Sequence, residues 1–176
     1  MTDASLFKGM DESNAQRNSE YFRAGRYLTY VNQFKVRRND EQLIFYIFEL
    51  VVLKVLDPSA ASAEPLGPHG VGHQISWVMA KHKKPTMPNL KAALMVMTNV
   101  PQEQVTAEFS ALLASDAQPL HGICVEFDNK VIQTKSEGRP FTRVTAKRLW
   151  ASPEVRETVG SEMLDRLGIE LEDTES

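Results

Sequence analysis

The chain has 176 residues, 42% hydrophobic and 24% charged, with a formal net charge of −3. That length suits one domain with its own core and is short for two. Apolar runs such as Leu50-Val51-Val52-Leu53 fall far below the ~20 residues of a membrane span, so no membrane role is expected. Met1 to Ser5 offers neither a basic start nor a long apolar block, so no signal peptide is expected. A single Cys124 supplies neither an internal disulfide nor a zinc cluster, which makes a reducing, cytoplasmic setting the default. The charge is unevenly spread: residues 1–18 carry −1, residues 19–150 carry +4 and residues 151–176 carry −6. A mildly basic body is joined to an acidic end.

Residues 1–20 are polar with little periodicity and read as a flexible arm. Gly25 opens a first strand that runs to about Arg38, with Leu28, Tyr30, Phe34 and Val36 expected on one face. Tyr27, Thr29, Val31, Gln33, Lys35 and Arg37 are expected on the other. After the turn signal Asn39-Asp40, a second strand spans about Gln42 to Leu56. It is apolar on both faces, which suggests a strand that bends and serves two sides of a barrel. Asp57 to Gly72, rich in Pro and Gly, is a long loop. His73 to Ala80 is a third strand, followed by the basic turn Lys81-His82-Lys83-Lys84.

Thr86 or Asn89 is placed to cap a helix whose apolar stripe holds Leu90, Ala93, Leu94 and Met97. A second short helix starts at Thr106. Strand four runs from His121 to Gln133, Ser136-Glu137-Gly138 makes a hairpin turn, and strand five runs from Phe141 to Trp150. Ser152-Pro153-Glu154 starts a terminal helix with Val155, Val159, Met163 and Leu167 on one face and Gly168 at its end. Residues 169–176 form an acidic tail.

This order predicts a mainly β fold: a five-stranded OB-fold barrel over residues 21–150, with a helical segment between strands 3 and 4 and a C-terminal helix at 151–168. An open α+β sheet with the same elements is the alternative. An OB barrel binds its ligand on the face around strands two and three and in the loops between strands one and two and between strands four and five. Those regions hold Lys35, Arg37, Arg38, Lys81, Lys83, Lys84, Lys130, Lys135, Arg139 and Arg143 as candidate phosphate contacts. Tyr27 and Trp77 are the candidate aromatic faces for base stacking, with the core as the competing place for Trp77. Phe45, Phe48, Phe127 and Tyr46 are expected in the core, and Trp150 under the terminal helix.

No catalytic motif, phosphate-binding Gly loop or paired-carboxylate pattern appears, so no enzyme and no cofactor are expected. His69 and His73 lie across a Gly-rich loop with no Cys or acid close by, so no metal is expected either.

The succession Gly25-Arg26-Tyr27, His73-Gln74-Ile75-Ser76-Trp77, Asn89-Leu90-Lys91-Ala92-Ala93-Leu94, Gln118-Pro119-Leu120-His121-Gly122, Thr134-Lys135 and Phe141-Thr142 resembles bacteriophage single-stranded-DNA-binding proteins of OB fold. The resemblance covers about residues 20–150 and rests on the order of weak motifs. It implies sequence-tolerant binding of single-stranded DNA in phage replication or recombination, without catalysis. It also implies that the acidic end recruits replication or recombination proteins or competes for the groove, although the ending Asp173-Thr174-Glu175-Ser176 lacks the terminal Pro-Phe of bacterial counterparts. A different reading makes the chain an OB-like adaptor or inhibitor of a nucleic-acid enzyme, working through its acidic end. The apolar face of the terminal helix packs either on its own body or on a second subunit, so a homo-oligomer stays open.

Overall fold

The computed structural model describes residues 22–57, 69–133 and 140–172. The expected N-terminal arm, most of the Pro/Gly loop, Lys135 and Arg139 with their hairpin turn, and tail residues 173–176 lie outside the described residues.

Strands β1 (Gly25–Arg38), β2 (Ile44–Asp57) and β3 (Gln74–Ala80) form an antiparallel meander. Helix α1 (Thr86–Thr98), a 3-10 turn (Gln102–Gln104) and helix α2 (Ala107–Leu113) follow. Strand β4 (Cys124–Gln133) returns beside β1, and its far edge pairs with β5 (Pro140–Arg143) and β6 (Ala146–Trp150). Helices α3 (Ser152–Val159) and α4 (Ser161–Arg166) complete the order. The fold is mainly β, an antiparallel six-stranded sheet ordered β3-β2-β1-β4-β5 with β6 also on β4. Among the described residues no pairing joins β3 to β5 or β6, so the sheet does not close through its hydrogen bonds. Helix α1 occupies that gap, packed on β6 and touching β3.

Two expected elements are subdivided. The fifth strand breaks at Val144-Thr145, where the Asp128 amide donates to the Thr145 carbonyl at 2.9 Å and the Thr145 amide donates to Asn129 Oδ1 at 3.4 Å. The terminal helix breaks at Gly160, whose φ of 89° is a conformation that glycine adopts without the penalty of a Cβ.

The sheet has a core on each face. The inner core joins Phe34, Phe48, Trp77 and Phe127 to Leu90, Leu94 and Met97 of α1. The outer core packs Leu28, Tyr30, Val51, Leu53 and Cys124 beneath Val155, Leu164 and Ile169 of the C-terminal segment. Strand β2 is apolar on both faces because it serves both cores: Phe48, Leu50 and Val52 go to the inner one, Val51 and Leu53 to the outer. Trp150 packs at the margin of the outer core, its Nε1 donating to Glu126 at 3.0 Å.

Strand β1 departs from the expected two-face pattern. Tyr27, Val31 and Phe34 all enter the inner core, which a strict period of two forbids. The β1–β2 register shifts between Val31 and Gln33, and a one-residue shift exchanges the two faces. Leu28 and Tyr30 therefore face away from the core that Phe34 enters, a correction to the expected grouping.

Candidate nucleic-acid interface

Cross-strand register places three rows on the outer face of β1–β3. Gln33, Glu49 and Ser76 form one row, Lys35, Ile47 and Val78 the next, and Arg37, Phe45 and Ala80 the last. Helices α3 and α4 cover the outer face farther along, over Leu28, Tyr30, Val51 and Leu53, and leave these rows uncovered. Val78 is 45% exposed. Phe45 is half-buried and belongs to neither core. Its neighbour across the sheet is Ala80, too small to cover an aromatic ring, and His82 meets it edge-on at 6.4 Å.

Two turns set the rim of this open region. In the β1–β2 turn, Asn39 Oδ1 accepts from the amides of Glu41 at 3.0 Å and Leu43 at 2.9 Å, an Asx-type closure that a short amide side chain supplies. After β3, the Lys81 amide donates to the Ile44 carbonyl at 2.9 Å. The Lys83 amide and the Thr86 hydroxyl both donate to the Ala80 carbonyl, at 3.1 and 2.6 Å. Thr86 thus does not cap α1 through its side chain as expected; it ties the start of the helix to the end of β3. The basic turn is a pinned structure that holds its lysines out.

Lys81, Lys83 and Lys84 are exposed, and none forms an ion pair among the described residues. Arg38 is exposed, within 3.5 Å of Gln42 Oε1, and Arg37 is half-buried beside Phe45. These five cations share one end of the sheet with two acids, Asp40 and Glu41, so this rim is net positive. Lys35 is different: its Nζ lies 3.2 Å from Glu49 Oε1, which neutralises it locally.

The expected site residues thus divide. Lys35, Arg37, Arg38, Lys81, Lys83 and Lys84 come together. Lys130 and Arg143 pair with each other across β4 and β5, beyond the Gly25 end of β1. Twelve residues of β1 separate Gly25 from Arg37, roughly 40 Å of strand at about 3.3 Å per residue. Lys130 also stands 3.9 Å from Asp128. Lys135 and Arg139 lie outside the described residues.

Both expected aromatic platforms are corrected. Tyr27 is fully buried, its hydroxyl donating to the Ala24 carbonyl at 2.7 Å and its ring against Phe22 and His69. Trp77 is 8% exposed, stacked on Phe48 at 5.3 Å and edge-on to Phe127 at 5.6 Å. Neither offers a ring face to a ligand. Phe45, expected in the core, is half-buried and belongs to neither core. Its sequence signal is slight: Phe45-Tyr46-Ile47-Phe48 is apolar at every step, so its parity is set only by the Phe48–Trp77 pairing.

The covered half of the face is also acidic. Burial first, then Cys124, Glu172 and Glu170, push the Tyr30 phenol above its ordinary pKa. Glu126, nearly buried, accepts from Trp150 Nε1 and lies 3.1 Å from Arg26 and 3.4 Å from Arg148. Arg148 reaches on to Glu154 at 2.9 Å and lies over the Trp150 ring, which ties α3 to the sheet. Ile169 is buried and Leu171 packs beside it, so the first part of the expected tail belongs to the body.

Among the described residues no group of three His, Cys, Asp or Glu is placed to hold a metal, and no helix is long and apolar enough to cross a membrane. His69 and His73 meet edge-on at 5.8 Å, with His69 fully buried and bonded to Arg23. No protein-family model matches the chain, and no curated protein matches it in sequence.

Proposed function

We propose that the protein binds single-stranded DNA, with little sequence preference, on the open half of the outer face of β1–β3. The observation that carries this reading is the company Phe45 keeps: a half-buried ring outside both cores and beside Arg37, within a rim of exposed Arg38, Lys81, Lys83 and Lys84. Cations track a phosphate backbone while a ring stacks on bases of any sequence. The open face suits an extended strand, and exposed Val78 extends the floor from Phe45, with Ile47 buried beside it. The strand order β3-β2-β1-β4-β5, with α1 between β3 and β4, supports an OB-type body whose β3 edge is left unpaired. Together with the sequence resemblance, this favours a non-catalytic, cytoplasmic protein that coats single strands in phage replication or recombination. The acidic end, with Glu170 and Glu172 on its exposed side, is the surface offered to partner enzymes.

The second reading, an adaptor or inhibitor, draws on the exposed Glu157, Glu162 and Asp165 of α3 and α4. It predicts no affinity for oligonucleotides. Fluorescence anisotropy with oligo-dT at several salt concentrations decides between them. Binding should weaken with salt by about 0.7 log units per log unit of salt for each phosphate neutralised. Lys81→Glu with Lys83→Glu should lower affinity at least tenfold and flatten that slope by about 1.4. Unchanged affinity and slope in the double variant would remove the rim from the site.

A further inference from the structure

We propose that Glu49, set by Lys35 and Ser76, gives this face a preference for bases that carry an exocyclic amino group over thymine. The inference rests on the nucleic-acid reading above and adds a specificity residue to it. Among the described residues Glu49 is the sole acid in the three open rows. A face built solely to hold phosphates gains nothing from a carboxylate within it, because like charges repel and the acid cancels Lys35.

The surroundings of Glu49 suit another task. The Ser76 hydroxyl donates to Oε2 at 2.6 Å, and Lys35 Nζ reaches Oε1 at 3.2 Å. Two donors from two different strands thus fix the carboxylate plane. A carboxylate has about four acceptor positions, so roughly two stay open, and the ammonium keeps two further donors. The group is accessible, with 29% of the Glu49 side chain and 39% of the Lys35 side chain exposed. Ile47 and Val78 lie in the adjacent row, and Phe45 stands four residues away, roughly 13 Å along β2 at about 3.3 Å per residue. A base lying on the exposed Val78, in the row of the buried Ile47, brings its edge to Glu49.

The chemistry then separates the two pyrimidines. Cytosine presents an N4 amino donor beside two acceptors, N3 and O2. The carboxylate accepts from N4, and Lys35 donates to the acceptors. Thymine presents acceptor, donor, acceptor. A carboxylate that takes its N3–H meets an oxygen on either side; Lys35 can donate to one of them, and the other is left against the carboxylate. The cytosine N4 amino group instead has the N3 acceptor on one side and only the C5–H on the other. The amino groups of adenine and guanine offer the same donor as cytosine.

The test is anisotropy titration of the full chain with oligo-dC and oligo-dT of one length, at pH 7.5 and one salt concentration. The parent protein should bind oligo-dC about fivefold or more tightly than oligo-dT, the low end of what one good base contact supplies. Glu49→Gln should bring the ratio close to one while oligo-dT affinity holds or rises, since a negative charge has gone. Ser76→Ala, which leaves every charge in place, should lower the ratio part of the way. Equal affinities in the parent protein, or a preference that persists in Glu49→Gln, would overturn the assignment and leave the binding face intact. Failure of both oligomers to bind would overturn the function itself and this inference with it.

Discussion

The outer face of the sheet has two halves of opposite fate. On one, Leu28, Tyr30, Val51, Leu53 and Cys124 are sealed beneath α3, α4 and Ile169. On the other, Lys35, Arg37, Phe45 and Val78 are left without a covering layer. The boundary on β1 falls at the register shift between Val31 and Gln33. Before the shift the outward Leu28 and Tyr30 are sealed in the outer core; after it the outward Gln33, Lys35 and Arg37 are polar or basic. One sheet face thus carries a covered half and an open half, the proposed binding surface, separated by a β-bulge. Bulges often mark where a strand re-aims its side chains.

The comparison is broken most strongly by moving a large side chain out of the wrong compartment. Trp77→Ala should destabilise the fold by about 3–5 kcal/mol, because it empties the stack between Phe48 and Phe127. Phe45→Ala should cost well under half of that, since its ring lies outside both cores. For oligo-dT affinity the ranking reverses: Phe45→Ala should lose about 1–3 kcal/mol, the worth of a stacked base. Urea unfolding measures the first pair of values and anisotropy the second. A Phe45→Ala variant that unfolds as readily as Trp77→Ala would place that ring in the core.

The smallest effect sharpens the covered half. Burial pushes the Cys124 thiol from an ordinary 9.0 up to about 12. The folded state therefore holds this proton more tightly than the unfolded chain. The stabilisation it gives is present below pH 9 and is lost as pH rises from 9 toward 12. At pH 8 the native thiol should resist a thiol-reactive dye that labels the urea-unfolded chain at once. Rapid labelling of the native protein would mean that α3 and α4 open readily.

Much of the sheet was legible in the sequence. Alternation, turn residues and Pro placement located all three strands of the meander and the helix between β3 and β4 to within a few residues. The long apolar β2 was also visible, but not that the C-terminal helices supply the second core that its outer face fills. The lysine turn was legible because charge stays in water wherever the strands go. The aromatic platform was not. Tyr27 was assigned to the side of Lys35 and Arg37 by counting in twos, and the shift at Val31/Gln33 invalidates that count. A bulge leaves no clear mark in residues such as Val31-Asn32-Gln33. Trp77 lies in the core, the competing place the sequence left open for it, and Phe45 outside both cores for a related reason: register alone decides which of several consecutive apolar residues faces inward.

The central claim is that the open half is the binding face, and lysine footprinting addresses it most directly. The protein is acylated with and without saturating oligo-dT, and each lysine is read by mass spectrometry. Lys81, Lys83 and Lys84 should be protected several-fold. Lys147, exposed on β6, and Lys54, whose Nζ donates to the Thr158 carbonyl on the covered half, should react equally in both samples. Protection of Lys54 or Lys147 with no change at Lys81, Lys83 and Lys84 would contradict the account.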